Sequence, residues 1–126
     1  MDYTVEHLPE KGYVRAHITG QIVPQDLREC AVEMFALATA HDCKKILVDS
    51  SRLIANTRIS DIHRFYSRLG QFGCDRRMSV AIVFRDPSGS DHFVETVARN
   101  RGFGLRVFPH LEGAEAWLVG EQAVSV

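Results

Sequence analysis

Lys44-Lys45-Ile46-Leu47-Val48-Asp49-Ser50-Ser51 decides the fold of this chain. A short apolar run between a lysine pair and an Asp-Ser-Ser cluster reads as a central strand ending in a polar loop. Ile46, Leu47 and Val48 do not alternate with polar residues, so the strand is expected to be buried on both faces, each covered by helices. Val80-Ala81-Ile82-Val83-Phe84, within the segment from Met78 to Phe84, is a second unbroken apolar run and the expected parallel neighbour of the first.

Upstream of this strand, Leu27, Cys30, Ala31, Met34, Phe35 and Ala38 recur at helical spacing and form one continuous stripe. Pro24 suits the first turn of that helix, since its missing N–H would have no partner there anyway. Before it, the segment from Tyr3 to Leu8 and the alternating segment from Tyr13 to Thr19 flank Pro9-Glu10-Lys11-Gly12, which has turn chemistry. They form a hairpin closed by Gly20.

Downstream, Ser50 to Arg58 is polar and irregular. Ser60 or Asp61 is then placed to cap a helix with Ile62, Phe65, Tyr66 and Leu69 on its apolar face, closed by Gly70 and Gly73. After the second central strand, Arg85-Asp86-Pro87-Ser88-Gly89 is a turn, and Ser90 or Asp91 opens a helix carrying Phe93, Val94, Val97 and Ala98. Gly102 is its natural C-cap. Leu105 to Phe108 makes a last strand and Leu111 to Leu118 a final helix. The order ββαβαβαβα predicts a single α/β domain over residues 1–126. It has a mixed, mostly parallel sheet of about five strands, an N-terminal β-hairpin and four helices.

Composition agrees with that class and excludes others. In 126 residues, 45% hydrophobic and 25% charged side chains match a globular domain rather than a disordered or fibrous chain. A formal charge of -1 supplies no global field for nucleic acid, so nucleic acid is not an expected partner. Cys30, Cys43 and Cys74 are odd in number, form no C-x-x-C pair and fit a reducing cytoplasm. The segment Met-Asp-Tyr-Thr-Val-Glu-His has neither the basic start nor the apolar core of a signal peptide, and no run reaches the length of a membrane span. A soluble cytoplasmic protein is expected.

The residues resemble a known family, the STAS-like domains related to the bacterial anti-sigma-factor antagonists, which share their layout with CRAL/TRIO-type carriers of apolar ligands. The resemblance is carried by Ile46-Leu47-Val48-Asp49 with its following loop and helix. It is carried further by the segment from Phe93 to Gly102, leading through Val107-Phe108 to Ala114-Glu115-Ala116-Trp117-Leu118. It implies a regulatory module that binds a protein partner or senses a small ligand. Antagonist members carry a phosphorylatable serine in an Asp-Ser-Ser-Gly element. This chain has Ile54-Ala55-Asn56-Thr57-Arg58-Ile59-Ser60 there, so Thr57 and Ser60 are the nearby hydroxyls and neither sits in that motif.

Loops beyond the carboxyl ends of neighbouring parallel strands converge on a common rim, the usual ligand site of open α/β sheets. This makes Asp49, Ser50, Thr57, Arg58, Ser60, Arg64, Asp86, Ser88, Ser90 and His92 the candidate ligand- or partner-binding residues. Asp and Ser are equally the ordinary residues of turns and caps. Arg58, Arg64, Arg68, Arg76 and Arg77, interleaved with Phe65, Tyr66 and Phe72, form a second candidate surface for an acidic partner, an anionic membrane surface or RNA, against the plainer reading of a solvated face. Arg64 and Arg68 share a helix face.

The six histidines (His7, His17, His41, His63, His92 and His110) show no metal-ligand spacing, and no G-x-S-x-G elbow or full P-loop is present. No catalytic residue, metal or cofactor is therefore assigned. The expected function is a non-enzymatic module that binds a protein partner or small ligand. The alternatives are a carrier of apolar ligands gated by the helix from Ile62 to Leu69, and a small enzyme using Asp49, Asp86 and His92. Phe35, Phe65, Tyr66 and Phe93 either fill a core or line a cavity. The free edge of the hairpin is a candidate homodimer contact.

Overall fold

The computed structural model describes residues 1–54, 59–84 and 91–121, with the backbone alone described at positions 59, 60, 62, 91–93 and 121. Among these residues the elements are β1 (Asp2–Leu8), β2 (Tyr13–Gln21), α1 (Pro24–Ala40), β3 (Lys45–Ile54), α2 (Ile59–Ser67), β4 (Ser79–Val83), α3 (Asp91–Asn100), β5 (Gly104–Phe108) and α4 (Leu111–Ala116). A 3-10 turn at Leu69–Phe72 follows α2, and a π turn at Trp117–Glu121 follows α4. None of the described helices is long and apolar enough to cross a membrane.

The strands lie in the order β1-β2-β3-β4-β5. β1 and β2 are antiparallel, and every later pair is parallel. Val48 stands beside Ile82 in the β3–β4 register, so the two apolar runs are adjacent parallel strands, as the sequence predicts. Because the strand order never reverses, right-handed crossovers put α1, α2 and α3 on the same face of the sheet.

That helix-covered face carries the larger core: Val14, Ala16, Ile18, Ile46, Val48, Val80, Ile82 and Leu105 from the strands, against Cys30, Ala31, Met34, Phe35 and Ala38 of α1. The α1 stripe is the one read from spacing, with Leu27 only half-buried at its N-terminal end. Each large side chain enclosed in this way contributes about 1.5–3 kcal/mol. Pro24 opens α1 without a side-chain cap, and Asp26 places a negative charge in the first turn, where the helix dipole favours it.

The second face is covered by helix as well. Among the described residues α4 and its π turn lie on it and bury Leu47, Ala81 and Val83 under Ala114 and Leu118. Tyr13 joins this smaller core. Its hydroxyl donates to Glu115 at 2.7 Å, and burial together with that carboxylate pushes the phenol up to about 12. Trp117 lies against Phe108 at the margin, with the Arg106 guanidinium 5.3 Å from the Phe108 ring and 5.9 Å from the Trp117 ring.

Two strands run past their expected ends for one reason. β2 continues through Gly20, at φ +88, to Gln21, and so offers β3 partners beyond Asp49. Thr19, Gly20 and Gln21 pair with Arg52, Leu53 and Ile54. Between the His17–Asp49 and Thr19–Arg52 pairs, β3 advances by one residue more than β2, which is a β-bulge at Ser50-Ser51. A bulge of one residue reverses the alternation that follows it. Leu53 therefore returns to the helix-covered face.

α2 starts at Ile59, which puts Ser60 and Asp61 in its first turn rather than at the cap. Gly102, at φ +86, takes the left-handed conformation expected of a residue that ends α3. At the outer edge of β5 the Val107 N–H donates to Glu95 of α3 at 2.6 Å, which occupies one edge donor.

Candidate ligand pocket

β3 presents successive side chains to opposite faces, and this separates two residues that the sequence groups together. Asp49 lies on the α4 side of the sheet. Its Oδ1 accepts from the Ser51 N–H at 3.2 Å and the Ser51 hydroxyl at 2.8 Å, and its Oδ2 is 3.3 Å from Nδ1 of His17. Burial alone would raise this carboxyl, but the Ser51 hydrogen bonds and the His17 imidazole outweigh it and hold it below the usual carboxylate range. Ser50 lies on the opposite face, fully buried, with its hydroxyl donating to the Val83 carbonyl at 2.7 Å.

Around Ser50 the helix-covered face is hollow. A half-open pocket of about 150 Å³ lies over the carboxyl ends of β2 to β5. Ile18, Val48, Ser50 and Ile82 form its floor, and Phe65, Tyr66 and Phe72 line it from α2 and the 3-10 turn. Leu27 closes one side from α1, while Val94 and Val107 close the other. A smaller extension of about 40 Å³ continues between α1 and the sheet past Cys30 and Met34.

The backbone of α2 lies against α3 and the 3-10 turn, while its Phe65 and Tyr66 side chains reach down onto the core of the sheet. Phe65 meets Tyr66 edge-on at 5.0 Å and Phe72 at 5.2 Å, so the aromatic rings pack with one another above the sheet. Burial pushes the Tyr66 phenol up to about 12 and keeps it neutral. Phe35, at 1% exposure, is enclosed in the core beside the smaller space. The bulge completes the hollow by turning Leu53 into it beside Ile22.

The mouth is cationic. Arg28 of α1, Arg64 of α2 and Arg68 after it all line the hollow together with Asp61, and none of the three arginines forms an ion pair with a described residue. The arginine group read from sequence thus divides. Arg76 donates to the Arg101 carbonyl and lies over the Phe103 ring, while Arg77 pairs with Asp75.

Of the sequence-predicted site residues, Ser50 and Arg64 line the hollow and Asp49 lies on the other face. Ser60 and His92 belong to the first turns of α2 and α3, where only backbone is described. Thr57, Arg58, Asp86, Ser88 and Ser90 lie outside the described residues. Sequence reasoning passed over Arg28, Leu53 and Ile22. Arg28 adjoins the apolar stripe one position after Leu27, a signal that carries meaning only once α2 is known to sit opposite. No protein-family model matches the chain, and no curated protein matches it. Among the described residues no group of three metal-ligating side chains converges.

Proposed function

We propose that this chain is a non-enzymatic, STAS-like sensing module that takes a small apolar ligand into the hollow beneath α2. The observation that carries the reading is the pocket itself: apolar on nearly every side, open at one end and continuous with the core. Binding sites for small molecules have this character, an apolar concavity with few polar groups. The polar side chain of its floor favours binding over turnover, because the Ser50 hydroxyl is committed to the Val83 carbonyl.

The Ser51–Asp49–His17 cluster on the other face points the same way. Asp49 stands between the two and interacts with both, so the imidazole is not placed to take the serine proton, as nucleophilic catalysis requires. In the regulatory role that the STAS-like resemblance implies, ligand occupancy would be read at the mouth. There the Ile22 N–H donates to the Ile54 carbonyl at 3.2 Å, and Val23 and Ile54 are exposed.

The test is Leu53→Phe, which adds a ring to the hollow. Thermal-shift and NMR titration with small aromatic and short-chain compounds should show binding to the wild type, and binding weakened by about tenfold or more in the variant, as expected when a packed site is overfilled. A wild type that binds none of them defeats the reading.

A further inference from the structure

The hollow combines three features: its size, its apolar interior and the composition of its mouth. At about 150 Å³ it is smaller than the roughly 300–1,000 Å³ of sites for drug-sized ligands and similar to the roughly 150 Å³ cavity that takes one benzene ring. That size matches one ring better than a long acyl chain. The lining is mostly apolar and the one proton of the Ser50 hydroxyl is donated to the sheet, so the enclosed part of a ligand is best matched by hydrocarbon.

Among the described residues Arg28, Arg64 and Arg68 stand at the rim with one acid, Asp61, which gives that part of the mouth an excess of positive charge. Guanidinium groups beside a low-dielectric wall favour a planar anion, which they can engage through two parallel N–H donors. From this we propose that the ligand is a small carboxylic acid, with an apolar body of about one aromatic ring in the hollow and its carboxylate held at the mouth by Arg64 and Arg68 from one side and Arg28 from the other. Ring and carboxylate divide the work. The hydrocarbon part gains from leaving water, and the arginines select the acid over neutral compounds of equal shape.

This inference rests on the reading of the hollow as a ligand site, and its test separates the two. Phenylacetate and its neutral isostere phenylacetamide are titrated into the full chain at neutral pH, where the acid is ionised. The acid should bind about tenfold more tightly, the worth of a hydrogen bond to a charged group. In the variant Arg64→Ala/Arg68→Ala that advantage should shrink towards nothing, because binding of the acid falls much further than binding of the amide. Rising salt should weaken the acid alone. Equal affinities of the wild type for acid and amide overturn the inference and leave the pocket reading standing. Failure of both compounds to bind overturns both. Both arginines are exposed, so the variant is expected to fold, and the wild-type ratio of acid to amide decides the matter without it.

Discussion

The two faces of the sheet receive alternate residues of the same strands and come to opposite ends. On the face under α1, α2 and α3, Val48 and Ile82 are part of a large core that opens near its rim into an apolar hollow with an arginine mouth. On the other, Leu47 and Ala81 are sealed beneath one short helix, while Arg15 and His17 are left substantially exposed beside Glu6 and Asp49. The difference teaches that apolar content alone does not create a binding site. On the covered face the hollow lies where Phe65 and Tyr66 of α2 span from the helix to the core. On the other face Ala81 shares a small core with Ala114 and Leu118.

The contrast can be broken most directly at Phe35, enclosed in the larger core beside the smaller space. Phe35→Ala should cost about 3–5 kcal/mol in denaturant unfolding, the range for removing a fully enclosed aromatic ring. A loss below about 1 kcal/mol would show that the region is as loose as the hollow. Leu27→Ala sharpens the same point, because its side chain already borders open space and little new cavity is made. Its cost should fall near about 2 kcal/mol, at the low end for such truncations, while ligand binding weakens.

On the other face Asp49→Asn should cost about 1 kcal/mol at neutral pH, through the hydrogen bonds from Ser51 and the contact with His17. The carboxyl is held below its ordinary value in the folded chain, so its contribution is present above about pH 4 and is lost as pH falls through the lowered folded value. The variant should therefore show a shallower loss of stability on acidification than the wild type. Identical acid slopes would mean that Asp49 makes no net contribution. The smallest effect is expected at the exposed pair of Arg15 with Glu6: Arg15→Ala should change stability by less than about 0.5 kcal/mol and leave ligand binding unaltered. A large effect there would make the open face a functional surface in its own right.

How much of this was legible beforehand can be followed residue by residue. The α1 stripe was readable because a helix that packs on a sheet must repeat its apolar residues at the helical period, and Cys30, Ala31, Met34, Phe35 and Ala38 are all buried. Val48 beside Ile82 was readable because unbroken apolar runs must sit where both sides are covered. Asp49 and Ser50 were grouped by adjacency along the chain, yet the pleat sends them to opposite faces, and only Ser50 reaches the hollow. Leu53 was hidden further, since without the bulge at Ser50-Ser51 its parity would place it with Asp49.

Local pattern, then, determined the elements, their order and the two central strands, because periodicity and apolar runs are properties of neighbouring residues. Tertiary structure alone decided that the three crossover helices share one face, that Phe65 and Tyr66 of α2 wall a hollow over the strands, and that Arg28 lines the same hollow as Arg64 and Arg68. Those outcomes depend on how elements far apart in the chain lean on one another, and no single segment carries that information.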